Sequence, residues 1–206
     1  MNDYINSQRK NFYPQAENIK EYLEKYSQKV HETLLQISQK SLGDTLAHLE
    51  VCMKNGKRVY VGGNGGSAAI SDHLLCDWMK GTSFSQKPNL KVHSLLDSMA
   101  LFTATCNDHG YEHALAYPLD IYGEAGDLVV LISSSGNSPN IVKAAETAKK
   151  KNITIIALTG FDGGKLRELA DISFHIPLHN YGMVEDAHQS IMHVLAQYLY
   201  LLREKT

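Results

Sequence analysis

The sequence predicts an α/β protein built on a doubly wound, parallel five-stranded sheet, with a helical extension at its N-terminus. Short apolar runs alternate with stretches of helical periodicity, and the runs recur about every thirty residues, the length of a βαβ unit. Two of these runs end in loops rich in glycine or serine, and a helical pattern follows each loop. This order favours parallel strands joined by helices.

Residues 1–56 have the pattern of helices. Apolar residues recur three to four positions apart from Ile19 to Tyr26, and a second periodic stretch ends at Gly56, a C-terminal cap. Pro14 suits the first turn of the first helix, and Gly43 is a point of interruption in the second stretch. Because these apolar stripes have no sheet of their own, we expect the segment to pack on the following domain and on neighbouring subunits.

From residue 57 onward, candidate strands alternate with candidate helices. The predicted strands are Arg58–Gly62, Lys91–Leu95, Leu128–Ser133, Thr154–Thr159 and Ser173–Ile176. The predicted helices are Ala68–Lys80, Ser98–Asn107, Pro139–Lys150, Gly164–Ala170 and Val184–Arg203. Since parallel strands need crossover connections of about a dozen residues or more, these helices supply the connections.

The first loop, from Gly62 to Ser67, joins the first predicted strand to its helix. Its glycines let the backbone adopt positive φ and approach a bound group closely. The N–H groups of the helix's first turn then point at that group, and an anion is the natural occupant. Gly63 to Ala68 also fits G-x-G-x-x-A, a dinucleotide-binding pattern, so this loop alone leaves two ligand classes open.

The second loop, from Ser133 to Ser138, follows an apolar run typical of a strand buried on both faces. It contains four serines around Gly136, and hydroxyls with backbone amides form a neutral cradle for phosphate. Two such loops at the carboxyl ends of parallel strands favour one small phosphorylated ligand held between them. A dinucleotide-binding fold would need only the glycine loop and would give the serine loop no ligand to bind, which disfavours a dinucleotide as the ligand.

Composition narrows the class of protein further. The 206 residues are 43% hydrophobic, enough for one domain with a full core or a domain with a helical appendage. A net charge of −2 gives no reason to expect nucleic acid. The cysteines Cys52, Cys76 and Cys106 form no C-x-x-C pattern, which favours a reducing compartment. The sequence shows no signal peptide or membrane span, so we expect a cytoplasmic protein without a membrane partner.

His73 and Asp77 are four residues apart on the first predicted helix after the glycine loop, so they share one face. An imidazole and a carboxylate at this spacing can chelate a divalent metal, or form a base with its orienting acid. Such pairs are also common on ordinary helix surfaces. Asp77 lies between Cys76 and Trp78 in an apolar stretch, however, and a buried carboxylate needs a partner.

The last predicted helix carries Glu185, Gln189 and His193 along one side, while His188 is turned away. If this helix and the first one line the same cleft, four side chains form a nitrogen and oxygen set suited to zinc or another first-row metal. This hypothetical set is His73, Asp77, Glu185 and His193.

Two further groups have weaker indications of function. Asp97 follows the second predicted strand and is placed either to bind a sugar hydroxyl or to cap the next helix. His109 and His113 have chelating spacing, but Gly110 between them indicates a loop that contacts substrate or another subunit.

Three motifs, Gly63–Ser67, Ile132–Ser138 and Ala157–Gly164, occur in an order and spacing that resemble the sugar isomerase (SIS) domain family. Within this family the chain is most similar, nearly end to end, to the phosphoheptose isomerases, which act on sedoheptulose 7-phosphate. The resemblance implies a flavodoxin-like α/β/α sandwich for residues 57–206. It also implies a homotetramer with active sites shared between subunits, one zinc ion per subunit and a role in bacterial heptose biosynthesis.

The resemblance also implies roles for single residues. Phosphate contacts fall on Asn64, Gly65, Ser67, Ser133, Ser135 and Ser138. His73 and His193 match metal-binding histidines, Asp77 stands where those isomerases have a longer glutamate, and Glu185 stands where they have a glutamine ligand. Four ligands therefore remain, with more negative charge. The exchange leaves the exact substrate and the general base open.

The implied reaction converts sedoheptulose 7-phosphate to D-glycero-D-manno-heptose 7-phosphate through an enediol, with metal assistance. Glu185 or Asp77 would carry one proton and His193 the other, while His73 would fix the metal or the open-chain sugar. One alternative is an isomerase for a different sugar phosphate. Another is a non-catalytic SIS protein resembling the regulator that binds the replication initiator DnaA, although the acids and imidazole favour the enzyme.

Overall fold

The computed structural model of the protein describes residues 13–205, so the part of the predicted helical segment at residues 1–12 lies outside the described residues. A five-stranded sheet in the order β2-β1-β3-β4-β5 forms its centre, and all neighbouring strands are parallel. The strands are β1 (Arg58–Gly62), β2 (Lys91–Ser94), β3 (Leu128–Ser133), β4 (Thr154–Thr159) and β5 (Ile172–His175). The predicted fold class is confirmed.

Eight α-helices surround the sheet within residues 13–205: α1 (Ile19–Leu34), α2 (Gln39–Asn55), α3 (Gly66–Cys76), α4 (Met99–His109), α5 (Ala116–Tyr122), α6 (Pro139–Lys150), α7 (Gly164–Leu169) and α8 (Tyr181–Lys205). A π-helical turn, Asp77–Gly81, continues α3, and a 3₁₀ turn, Tyr111–His113, follows α4. The short helix α5 was not predicted. No helix in this part of the chain has both the length and the apolar character needed to span a bilayer.

The sheet separates two hydrophobic layers. On one face, α2, α3, the π-helical turn and α8 pack through residues such as Leu49, Leu74, Trp78, Met192 and Leu199. On the other face, α5, α6 and α7 pack through Leu119, Ile141, Ala145 and Leu166. Every residue of β3 is buried, which explains its unbroken apolar run. Each fully buried leucine or isoleucine contributes roughly 1.5–3 kcal/mol, so these layers provide most of the stability of the fold.

The N-terminal helices differ in detail from the sequence prediction. α1 begins at Ile19, where the Asn18 side chain accepts a hydrogen bond from the Glu21 N–H, so Pro14 precedes the helix and does not lie in its first turn. α1 ends at Leu34, and α2 begins directly after its N-terminal cap, Ser38. Gly43 does not interrupt α2, because a glycine inside a helix costs only about 1 kcal/mol.

The end of α2 and its burial agree with the sequence pattern. Gly56 adopts a left-handed φ of 64° and caps the helix, as predicted. Leu49, Cys52 and Met53 of α2 are buried against the sheet layer. α1 is held to α8 by the Tyr26 hydroxyl, which donates to an oxygen of Asp186 at 2.6 Å. The domain boundary at residues 56/57 and the contact with neighbouring subunits stay predictions.

The strand order places the two predicted loops side by side. After β1 the chain crosses to β2 at one edge, and β3 then lies on the opposite side of β1. The carboxyl ends of β1 and β3 are therefore neighbours at a topological switch point, where open α/β sheets bind ligands. The glycine loop follows β1 and the serine loop follows β3, so both border this crevice.

Candidate functional site

A small cavity of about 130 Å³ lies at this switch point. It is lined by Asn64, Ser67, Ile132, Ser133, Ser134, Ser135, Ser138, Tyr181 and Glu185. A cavity of this volume has room for a phosphoryl group. Five of the six predicted phosphate contacts line the cavity; the other, Gly65, lies in the same loop. Their role in binding stays a prediction.

The glycine loop needs glycine at two positions. A Cβ at Gly63 would overlap the backbone carbonyl of Ser67, so the loop can press against the first turn of α3 only without a side chain there. Gly65 precedes α3 with a φ of 56°, a conformation that side chains disfavour. These glycines bring the start of α3 to the wall of the cavity.

Asn64 joins the glycine loop to α6. Its amide exchanges two hydrogen bonds of 2.9 Å with the amide of Asn140, which is fully buried. The Tyr111 hydroxyl donates a third hydrogen bond of 2.9 Å to Asn64 Oδ1. Neither partner was predicted from the sequence. This network fixes the position of Asn64 at the edge of the cavity.

The serine loop is held mainly by its own hydroxyls. Ser133 Oγ accepts a hydrogen bond from the Gly136 N–H at 3.2 Å, and Ser135 Oγ accepts one from the Asn137 N–H at 3.3 Å. Ser134 Oγ is buried and has no hydrogen-bond partner among residues 13–205. Ser134 lines the cavity, but its hydroxyl oxygen is shielded from solvent and so is not exposed to a ligand there. Sequence reasoning missed Ser134.

A second polar group lies between α3 and α8. Ligand atoms of His73, Asp77 and His193 all lie within 4.8 Å of one another. The carboxylate of Asp77 is central, because one oxygen is 3.5 Å from His73 Nε2 and the other is 3.6 Å from His193 Nε2. Two imidazoles and a carboxylate are a donor set that zinc accepts. The structure thus brings together three of the four predicted metal ligands.

Asp77 also marks a change in helix type. α3 ends at Cys76, and Asp77 is the first residue of the π-helical turn. Such turns are rare and occur often at functional sites. The side chain of Asp77 is only partly exposed, so its carboxylate is held between the two helices.

The fourth predicted ligand, Glu185, lies elsewhere. Its carboxyl group fills the space next to Gly66 in which a side chain at that position would stand, and it lines the phosphate-sized cavity. Burial, and then the nearby Asp186 carboxylate, raises the pKa of Glu185. The amide of Gln189 lies between the histidines instead, 2.9 Å from His73 Nδ1 and 3.1 Å from His193 Nε2. Metal binding and proton transfer by Glu185 stay predictions.

His188 points away from this group into the core. It is fully buried, and its Nε2 lies 3.2 Å from the carbonyl oxygen of Thr159 at the end of β4. Burial lowers the pKa of His188 to about 4, because the core disfavours the charged imidazolium. His188 therefore anchors α8 to the sheet, while His193 faces Asp77.

Replacing His188 with glutamine is expected to flatten the pH dependence of stability. Between the folded-state pKa of about 4 and the ~6.5 of an unfolded chain, the unfolded state binds more protons, so native stability falls as pH drops through this window. The loss amounts to about 3 kcal/mol at most. Thermal unfolding from pH 7 to pH 4.5 measures it. Exposed His31, changed to glutamine, is the control, and equal pH slopes in wild type and His188→Gln would contradict the assignment.

Asp97 lies apart from the serine loop. It lines a second cavity of about 540 Å³ with Arg58, Tyr60, His93, Ser94, Leu95, Ser98, Leu101, Pro118 and Tyr122. This cavity shares no lining residue with the smaller one. Ser98, not Asp97, is the cap of α4. Substrate binding by Asp97 stays a prediction.

Fold and site together define a doubly wound α/β protein with a phosphate-sized cavity at its switch point and a His/Asp/His group beside it. The sequence model of the SIS domain matches residues 21–160. The chain belongs to the SIS domain family.

Known relatives narrow the group within this family. A phosphoheptose isomerase of Aneurinibacillus thermoaerophilus is 37% identical over 142 residues, which cover 69% of this chain and 71% of that protein. Another, of Mycobacterium tuberculosis, is 31% identical over 170 residues, 82% of this chain and 85% of that one. The structure of a phosphoheptose isomerase from Francisella tularensis superposes with a TM-score of 0.82 at 28% identity, covering 89% and 96% of the two chains. The resemblance inferred from the three motifs is confirmed.

Proposed function

We propose that the protein is a metal-assisted isomerase that interconverts sedoheptulose 7-phosphate and D-glycero-D-manno-heptose 7-phosphate. The observation that carries this proposal is the arrangement of two sites along α3 and α8. The phosphate-sized cavity lies at the start of α3, and His73 follows Gly66 by seven residues, about 10 Å along the helix axis. An open-chain sugar phosphate has its charge and its carbonyl at opposite ends, as this arrangement requires. The names of the relatives support the same reaction.

The phosphate cavity is proposed to position the substrate. Hydroxyls of Ser133, Ser135 and Ser138 and the amide of Asn64 would hold the phosphoryl group. Anchoring one end of a flexible chain restricts the motion of the other end. Binding energy from the phosphate is thereby used to orient the reacting carbons.

The proton transfers are assigned to Asp77 and His193. Isomerisation requires a base that removes the proton beside the carbonyl, and an acid that protonates the neighbouring carbon of the enediol. A carboxylate and an imidazole 3.6 Å apart can provide both functions. His73, Asp77 and His193 would hold a zinc ion, which when bound would offset the negative charge that develops on the substrate oxygens.

An assay of purified protein with sedoheptulose 7-phosphate tests the proposal. We expect formation of the aldose phosphate, loss of the rate with a chelator and recovery with added zinc. Unphosphorylated sedoheptulose is expected to react at least about 100-fold more slowly, because remote binding energy contributes to the rate.

Two outcomes would contradict this assignment. Turnover of a different ketose phosphate, with none of sedoheptulose 7-phosphate, would identify another substrate. Tight binding of sugar phosphates without any turnover would indicate a non-catalytic SIS protein.

A homotetramer with one zinc ion per subunit is part of the same proposal. Exposed apolar side chains on α8 support a contact between subunits, since Val194 is 55% and Tyr198 is 51% exposed and both lie close in sequence to His193. The cytoplasmic location expected from the sequence stays a prediction.

A further inference from the structure

Gln189 occupies a position that neither the sequence patterns nor the proposed mechanism assigns. It lies on α8 one turn after Glu185 and one turn before His193, and it is partly buried. The end of its side chain contacts both histidines of the His/Asp/His group, at 2.9 Å and 3.1 Å. A side chain that touches two of three candidate ligands belongs to the same site.

The packing of α3 on α8 shows why Gln189, and not Glu185, reaches this group. The two helices meet at three levels. Gly66 lies opposite Glu185, His73 opposite Gln189, and Asp77 opposite His193. Since residue numbers rise together on both helices, the helices run in the same direction. Glu185 therefore lies beside the start of α3. A carboxylate there is about 10 Å along α3 from His73.

Three distances within the group are close to those between the ligand atoms of a zinc site. Two ligand atoms that are each about 2.0–2.1 Å from a tetrahedral zinc lie about 3.3 Å apart. Gln189 Nε2 is 2.9 Å from His73 Nδ1 and 3.1 Å from His193 Nε2, and one Asp77 oxygen is 3.6 Å from the same His193 nitrogen. The 3.5 Å contact between Asp77 and His73 involves the other ring nitrogen, Nε2, so His73 would bind the metal through Nδ1. The amide therefore stands at the distance from the histidines that a fourth ligand requires.

The amide group also has a suitable donor atom. A half-turn about the last side-chain bond exchanges the nitrogen and oxygen of Gln189, and this places Oε1 toward both imidazoles. An amide oxygen is a neutral ligand, so it adds a donor without adding charge to the single carboxylate of Asp77. The set then consists of two nitrogens, from His73 and His193, and two oxygens, from Asp77 and Gln189.

We propose that Gln189, rather than Glu185, is the fourth protein ligand of a zinc ion held by His73, Asp77 and His193. This inference rests on the proposed function only for the identity of the metal. Glu185 is thereby left to the phosphate-sized cavity, where its carboxyl group already lies. The two acidic residues then have different roles. Asp77 binds the metal, and Glu185 faces the phosphate-sized cavity.

Zinc titration of the metal-free protein, without substrate, tests the assignment. Gln189→Leu is expected to weaken zinc binding by more than about 100-fold, the upper end of what loss of an outer-shell partner causes. Gln189→Glu restores an oxygen at the same place and is expected to keep the affinity within about tenfold. Glu185→Leu is the matched control one turn away, and its zinc affinity is expected to equal that of the wild type. Cobalt substitution gives a second readout, because the visible spectrum should change in Gln189→Leu and not in Glu185→Leu.

Opposite results would overturn the assignment. Wild-type affinity in Gln189→Leu, or a zinc affinity that falls in Glu185→Leu as it does in Gln189→Leu, would show that Gln189 is not the fourth ligand. Failure of Gln189→Glu to restore binding would also count against an oxygen ligand. A wild-type protein that binds one zinc with this pattern but converts no sugar phosphate would refute the proposed reaction and support the ligand set.

Discussion

Changing Asp77 to asparagine is expected to reduce kcat/KM for sedoheptulose 7-phosphate by at least about 1000-fold, a loss of about 4 kcal/mol of transition-state stabilisation. The Asp77 carboxylate lies 3.5 Å from His73 Nε2 and 3.6 Å from His193 Nε2. It is therefore the negatively charged member of the His/Asp/His group and contacts both imidazole rings. Asparagine keeps the shape of the side chain but removes the charge and the basicity. Initial-rate kinetics and zinc content measure the two losses.

Asp72 provides a matched control on the same helix. It is exposed and accepts a hydrogen bond of 3.0 Å from Ser94 Oγ, which the oxygen of asparagine can also accept. Asp72→Asn is expected to change kcat/KM by no more than about twofold, as for most surface substitutions. If Asp77→Asn retained the activity and zinc content of this control, the role assigned to Asp77 would be wrong.

Gly136→Ala is expected to lower the melting temperature by roughly 5–15 °C and to weaken binding of sugar phosphate at least about tenfold. Gly136 has a φ of 66°, and a Cβ there would collide with the carbonyl oxygen of Gly163. The left-handed conformation alone costs a side chain about 1–2 kcal/mol. The collision adds more, because Gly136 also accepts a hydrogen bond of 2.9 Å from the Leu166 N–H and cannot move freely. Thermal unfolding and isothermal titration measure the two effects.

The variant Gly56→Ala measures the cost of a side chain in the left-handed conformation without a collision with backbone atoms. Gly56 has nearly the same φ, 64°, but the nearest atom to an added Cβ is Lys91 Nζ at 3.4 Å, the end of a long side chain. We expect this variant to lose only about 1–2 kcal/mol of stability and to keep wild-type affinity for sugar phosphate. Equal losses in Gly136→Ala and Gly56→Ala would show that the contact with Gly163 does not matter.

Local sequence patterns were sufficient to predict most of the fold. The bounds of β1, β3, β4 and α6 agree with the predicted bounds, because each of these elements begins or ends at a glycine, a proline or a change from apolar to polar residues. Gly43 was expected to interrupt the second periodic stretch, but the break between α1 and α2 lies before it, between Leu34 and Gln39. A polar cap at Ser38 determines that break, and tertiary packing lets α2 continue through the glycine.

The candidate site could be predicted only in part. Periodicity shows which residues share one side of a helix, but it does not show which of them lie opposite a given residue of a neighbouring helix. Glu185, Gln189 and His193 share one side of α8, and each of them was a reasonable partner for His73 on that basis. Which one meets His73 depends on how far α8 is shifted along α3, and that shift is set by long-range packing. The π-helical turn at Asp77 was not predicted from the sequence either.

The side-by-side course of α3 and α8 limits which changes in length this protein can accept. An extra residue between Gly66 and His73 would rotate His73 by about 100° and move it about 1.5 Å along the axis, which would separate it from Gln189. The same insertion in an exposed connection that contacts neither helix would leave both helices aligned. Natural variation in chain length should therefore be concentrated in such connections, and a relative with a longer or shorter α3 would need a compensating change in α8 to retain the same chemistry.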